Sequence, residues 1–287
     1  MRVHHLNCGT FRPVGGRAFG MPTLGCHCLL VETPAGLVLV DTGLGREDVE
    51  RPRPRLSRLF LALGRIQFDP RDTAVEQVRD LGFKPADVRH ILLTHLDFDH
   101  AGGITDFPAA TVHVLADEAA AAKHRHGFIA RRRYRPAQWR AVAKWQEYQP
   151  DGEPWFGFPA VRALRGVPPG FVMVALAGHS AGHGGVAVRD GTRWLLHAGD
   201  AYFDQAELRR EAPRCPAGLA ATQWLMQTAG RARRDNRARL RELAAASADT
   251  LAIICSHDLN ELRNRQRAAE LRQRALAALD EPAARRP

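Results

Sequence analysis

Thr94-His95-Leu96-Asp97-Phe98-Asp99-His100-Ala101-Gly102-Gly103 follows directly on an apolar run, Ile91-Leu92-Leu93. The run reads as a buried strand, and the glycine pair as the point where the chain turns sharply. Between them stand the metal-competent side chains His95, Asp97, Asp99 and His100. On an extended chain His95 and Asp97, two apart, point the same way, while Asp99 and His100 reach a second point nearby. That outlines a two-centre metal site and asks the rest of the chain for the missing ligands.

The same grammar recurs downstream. An apolar strand at Phe171–Leu176 runs into Gly178-His179-Ser180-Ala181-Gly182-His183, Trp194–Ala198 into Gly199-Asp200, and Leu251–Cys255 into Ser256-His257. Ligands converging from the ends of buried strands are what a metal centre in a packed α/β scaffold requires. Upstream, Leu37–Val40 ends in Asp41-Thr42-Gly43, where the carboxylate is either a turn former or a polar group aimed at a site. A helix expected from about Thr73 to Leu81, stopped by Gly82, precedes the strand that carries the opening motif, which is again α/β grammar.

Composition narrows the function classes. With 287 residues and no low-complexity linker, the chain is expected to form a single domain over 1–287. Hydrophobic residues make up 45% and charged residues 25%, ordinary for a soluble globular protein. The longest apolar run, Phe171 to Ala177, is far short of the ~20 residues of a bilayer span, so no membrane partner is expected. Met1-Arg2-Val3-His4-His5 lacks the apolar segment of a secretory signal, making the cytoplasm the expected compartment. Five cysteines at scattered positions read as reduced thiols, and Cys26-His27-Cys28 as a strand with two small buried thiols rather than a metal clip. The net charge of +10 sits mostly on arginines of amphipathic helices without a nucleic-acid motif, so it reads as a solvated face, not a nucleic-acid surface. A small-molecule substrate is the expected partner, and a homo-oligomer is compatible with the sequence.

Specificity is expected from two stretches. Residues 47–68 carry a short Leu-Phe-Leu-Ala-Leu run placed to cover substrate, and 128–170 is an aromatic and basic insertion. Most of its aromatics read as a small cluster under a loop, with the tip Trp155-Phe156-Gly157-Phe158 as the candidate pocket wall. His113, His124 and His126 read as packed or surface histidines.

Taken in order, these motifs resemble the metallo-β-lactamase superfamily, whose hallmark is His-x-His-x-Asp-His followed by a His, an Asp and a last His. The resemblance spans Leu37–Gly43 to Ser256-His257. Its Thr-His-x-x-x-Asp-His-Ala-Gly-Gly and Gly-His-Ser-Ala-Gly-His runs are most similar to N-acyl homoserine lactonase-like hydrolases. The resemblance implies an α/β (α+β) fold, the αββα sandwich of two mixed β-sheets flanked by helices. It implies two divalent metal ions, zinc first, one on His95, Asp97 and His179, the other on Asp99, His100 and His257, with Asp200 bridging. Asp41 would support ligand histidines from behind, and His183 would steady its loop. A hydroxide bridging the metals would attack an ester, lactone or thioester, with Asp99 and Tyr202 as catalytic residues. Lactonases of this kind place their tyrosine where this chain has Phe203, which leaves Tyr202 as the nearest hydroxyl. The other departure is Asp97, where the family has histidine. A carboxylate there is expected to harden the first position toward iron or manganese, and it leaves open whether both positions fill. A phosphodiesterase or nuclease of the same fold is the alternative, as is an iron-dependent oxygenase or reductase.

Overall fold

The computed structural model describes residues 1–280. Seven strands form the first sheet: β1 (Arg2–Phe11), β2 (Leu24–Thr33), β3 (Gly36–Val40), β4 (Ile66–Gln67), β5 (Val88–Leu92), β6 (Thr111–Leu115) and β7 (Trp145–Tyr148). Five form the second: β8 (Ala160–Val161), β9 (Phe171–Ala175), β10 (Gly184–Asp190), β11 (Arg193–His197) and β12 (Leu251–Ile254). Their spatial orders are β4-β1-β2-β3-β5-β6-β7 and β12-β11-β10-β9-β8. Both are mixed. Pairs β3–β5, β5–β6, β6–β7 and β11–β12 are parallel, whereas the others are antiparallel.

Three apolar clusters explain the layering. Val31, Val38, Val40 and Leu92 of the first sheet pack against Met173, Val186, Val188 and Ile254 of the second, so the sheets meet face to face. Alternation sends Leu30, Leu39, Ile91 and Val112 to the opposite face of the first sheet, where Val75, Val78 and Ala119 of the flanking helices cover them. Val172, Val174, Ala187 and Leu196 are likewise covered by Leu240 and Leu243 of the helix Gly230–Ala246. Helix, sheet, sheet and helix stack as the αββα sandwich. No helix among the described residues is long and apolar enough to cross a membrane.

The helix expected over Thr73–Leu81 spans Ala74–Asp80, and its apolar Val75 and Val78 are the residues that bury. Cys26, His27 and Cys28 lie buried in β2, with all five cysteines free. His113 is packed in β6, between His90 and the Tyr148 hydroxyl. The pocket-wall expectation for the 155–158 tip is corrected by the structure. Trp155 and Phe158 turn inward to join the cluster under the helix Gly230–Ala246, with Trp194 edge-on to Trp155, because that sheet face needs large side chains to close it.

Candidate metal centre

Asp41, the motif 95–100, His179, Asp200 and His257 all follow the C-terminal ends of strands, after β3, β5, β9, β11 and β12 respectively. The sandwich therefore gathers them at one edge. Backbone geometry permits the crowding at two glycines. Gly199 (φ +54) turns the chain from β11 into Asp200, where a Cβ would lie 2.6 Å from His183 Nε2, and Gly43 (φ +62) passes so close to Cys8 that no side chain fits.

Three overlapping groups have ligand atoms within 4.8 Å of one another: His95, Asp97 and His179; Asp99, His100 and His257; and His95, His100 and Asp200. Both carboxylate oxygens of Asp200 take part, Oδ2 at 3.1 Å from His257 Nε2 and 3.4 Å from His179 Nε2, and Oδ1 at 3.4 Å from His100 Nε2. Ligands bonded at ~2.1 Å to one tetrahedral ion lie roughly 3.4 Å apart, close to these spacings.

The hydrogen bonds behind the histidines decide which nitrogen faces inward. Asp41 Oδ2 accepts from His100 Nδ1 at 2.9 Å and from the Thr94 hydroxyl at 2.7 Å. With its proton so committed, Thr94 Oγ1 accepts from His95 Nδ1 at 2.9 Å. His257 Nδ1 donates to the Gly25 carbonyl at 2.8 Å. Each bond places the proton on Nδ1 and leaves the Nε2 lone pair aimed at the centre. Among the described residues, His95 Nε2, His100 Nε2 and Asp200 Oδ1 are buried without a hydrogen-bond partner, as ligand atoms directed at a cation are. The residue set fits a metal ion.

Electrostatics agree. Burial pulls His100 and His257 down, but the surrounding carboxylates, Asp200 foremost, hold both above the ordinary histidine range. Burial pushes Asp99 up, and its neighbours Asp200 and Asp97 add to that. Such a concentration of buried negative charge attracts a cation.

The structure brings His95, Asp97, Asp99, His100, His179, Asp200 and His257 together, with Asp41 behind them. His183 lies beside the cluster, donating from Nδ1 to the Leu176 carbonyl at 3.0 Å and accepting the Asp200 backbone N–H on Nε2 at 2.8 Å, so it positions Asp200. Tyr202 is the correction. Its ring packs in the core of the second sheet, with a hydroxyl that has no partner among the described residues, on a separate depression shared with Glu261 and Arg265. Past β11 the chain leaves the strand through a turn, so Asp200 and Phe203 share the cavity, with Phe203 4.6 Å from the His257 ring, centroid to centroid.

Two participants carry no sequence signal. Glu118, fully buried, accepts from Leu96 N at 3.0 Å, Ser180 Oγ at 2.6 Å and Gly182 N at 3.1 Å, tying the His95 loop to the His179 loop. Arg133, from the basic 128–170 stretch, is buried with its Nε 2.9 Å from Asp97 Oδ1. Only the tertiary structure brings either one to the centre.

Asp97, Asp99, His179, Asp200 and His257 open on a cavity of about 500 Å³ whose walls include Phe11, Phe19, Phe60, Leu63, Phe98 and Phe203. Phe60 and Leu63 belong to the 47–68 stretch expected to cover substrate.

The chain matches the family model described as the metallo-β-lactamase superfamily over residues 21–257. The chain belongs to the metallo-β-lactamase superfamily. Within the superfamily it is 46% identical over 258 residues to a probable metallo-hydrolase of Mycobacterium tuberculosis, covering 90% of this chain and 80% of that protein. An N-acyl homoserine lactonase of Bacillus cereus is 28% identical over 190 residues, 65% of this chain and 67% of the lactonase. The sandwich superposes on an N-acyl homoserine lactone hydrolase solved with N-hexanoyl-L-homoserine at its catalytic metal centre, at a TM-score of 0.66 and 21% identity, covering 92% and 95% of the two chains. That likeness is one of fold.

Proposed function

We propose that the protein is a metal-dependent hydrolase of an ester, lactone or thioester with an apolar acyl part, using two metal positions that share Asp200. The observation that carries this reading is the convergence of unpartnered, buried Nε2 and carboxylate atoms on the floor of an aromatic cavity. The metallo-hydrolase relative and the lactonase support the reaction class. Zinc is the first candidate, given the imidazole and carboxylate donors.

A divalent cation in such a site lowers the pKa of water enough to give a nucleophile near neutral pH and polarises a substrate carbonyl. The chain's own residues do the rest. Asp41, Thr94 and Gly25 lock the imidazole tautomers, and the aromatic walls exclude water and hold the acyl part. Asp99 opens on the cavity beside His257, so it is placed to take a proton and return it to the leaving oxygen or sulfur. Phe203, not a hydroxyl, lies over His257, so a developing oxyanion would be met by the cation that these residues would hold.

The test is a panel of lactone, aryl ester, thioester and phosphodiester substrates, run on the wild type and Asp200→Ala with zinc, manganese or iron supplied. Hydrolysis of one of the first three classes, lost in Asp200→Ala, is expected. Activity confined to the phosphodiester would replace the acyl reading with the phosphodiesterase one.

A further inference from the structure

The two metal positions differ in one respect that the ligand set alone does not show. Asp97 turns Oδ2 toward His179 Nε2 (3.1 Å) and His95 Nε2 (3.5 Å), and Oδ1 toward Arg133 Nε (2.9 Å). Arg133 ends the helix Gly127–Arg133, is 1% exposed, and donates from Nη1 to the His179 carbonyl at 3.0 Å and from Nη2 to His179 Nε2 at 2.9 Å. A protein cation thus holds two of the three ligands of one position. The ion pairs of Asp99, His100 and His257 are with one another, Asp41 and Asp200.

The Nε2 lone pair of a neutral histidine can accept an N–H or bind a metal ion, not both at once. Two cations a few ångströms apart at a buried site also repel strongly. Against that, a guanidinium buried here needs Asp97 as its counter-charge, so it is not easily expelled.

We propose that Arg133 is a positioning residue that makes the two metal positions unequal: it competes for Asp97 and His179, so the His95–Asp97–His179 position fills last, as the guanidinium releases His179 Nε2. The inference takes the metal reading above as its premise. It also changes what Asp97 means. Paired with Arg133, the aspartate carries no uncompensated charge, so the pair stands electrostatically close to the neutral histidine of the family. The charge part of the expected shift toward iron or manganese is thereby offset, while the hard oxygen donor of Asp97 remains.

The test is zinc titration of the chelator-stripped full-length protein against a chromophoric chelator, for the wild type and Arg133→Met. The wild type should take up zinc in two resolved steps, or in one step only. In Arg133→Met the weaker step should tighten about tenfold or more while the tighter one stays within about threefold, the range found when a group contacting a ligand is altered. Equal steps in the wild type, or a weaker step that Arg133→Met leaves unchanged or loosens, would overturn the proposal. Because Arg133→Met leaves Asp97 unpaired, the double variant Asp97→His/Arg133→Met serves if the single one does not fold, with the same tightening expected and the same failure condition. Absence of zinc uptake by every protein would overturn the metal reading too, which separates the two failures.

Discussion

Asp41 and His100 are joined by a 2.9 Å hydrogen bond from Nδ1 to Oδ2, with Asp41 held at φ +55, a left-handed conformation. The same carboxylate accepts Thr94 N and Oγ1, and through Thr94 it orients His95, so a single side chain aligns one histidine at each proposed metal position. Asn tolerates left-handed backbone, so Asp41→Asn removes the charge with little strain. Metal affinity should fall about 10- to 100-fold, measured by chelator competition. Unchanged affinity would show that the histidines are oriented without it.

Glu118 is the joint between the His95 and His179 loops, and its removal leaves Leu96 N, Ser180 Oγ and Gly182 N without acceptors in the interior. Each orphaned group costs about 1–3 kcal/mol. Glu118→Ala should therefore lower stability by several kcal/mol in denaturant melts and weaken metal binding together with it. A variant that melts like the wild type contradicts this role.

The cavity walls predict chain-length selectivity. Each methylene buried against Phe60, Phe98 and Leu63 should lower KM about three- to fourfold until the cavity is full. Phe60, stacked on Phe98 at 4.9 Å between centroids, is the residue to cut. Phe60→Ala should raise KM for long-chain substrates while leaving kcat within about twofold. A kcat collapse with unchanged KM would place Phe60 in the chemistry instead.

Acid should destabilise the fold through buried neutral histidines. Burial, with His90 alongside, pulls His113 from 6.5 down to about 3. Between those values the unfolded chain binds a proton that the folded chain refuses, so stability present above pH 6.5 is lost as pH falls toward 3, by up to ~1.4 kcal/mol per unit. His113→Gln has no proton to gain. Its loss of melting temperature between pH 7.5 and pH 5 should be smaller than the wild type's by roughly 4 °C. Equal losses would assign the acid sensitivity to other groups.

The candidate ligands were legible because strand-end placement is a local property: a continuous apolar run followed by His or Asp predicts both burial and position. His95, His179, Asp200 and His257 follow from such runs, and their convergence follows from the sandwich. Arg133 and Glu118 were not legible, since each reaches the centre from a helix that begins or ends far from any motif. Tyr202 and Phe203 show the limit of counting, because a one-residue difference after a turn reverses which side chain faces the cavity. The tip at 155–158 reads as a pocket wall only while the second sheet's need for cover is unknown.

Metal dependence of the hydrolysis is tested by comparing turnover of an acyl substrate by the chelator-stripped protein, by the same protein reloaded with zinc, and by reloaded Asp200→Ala. Stripping should reduce the rate to about a hundredth or less, zinc should restore it, and Asp200→Ala should stay inactive. Full hydrolysis by protein shown to contain no metal would contradict that dependence.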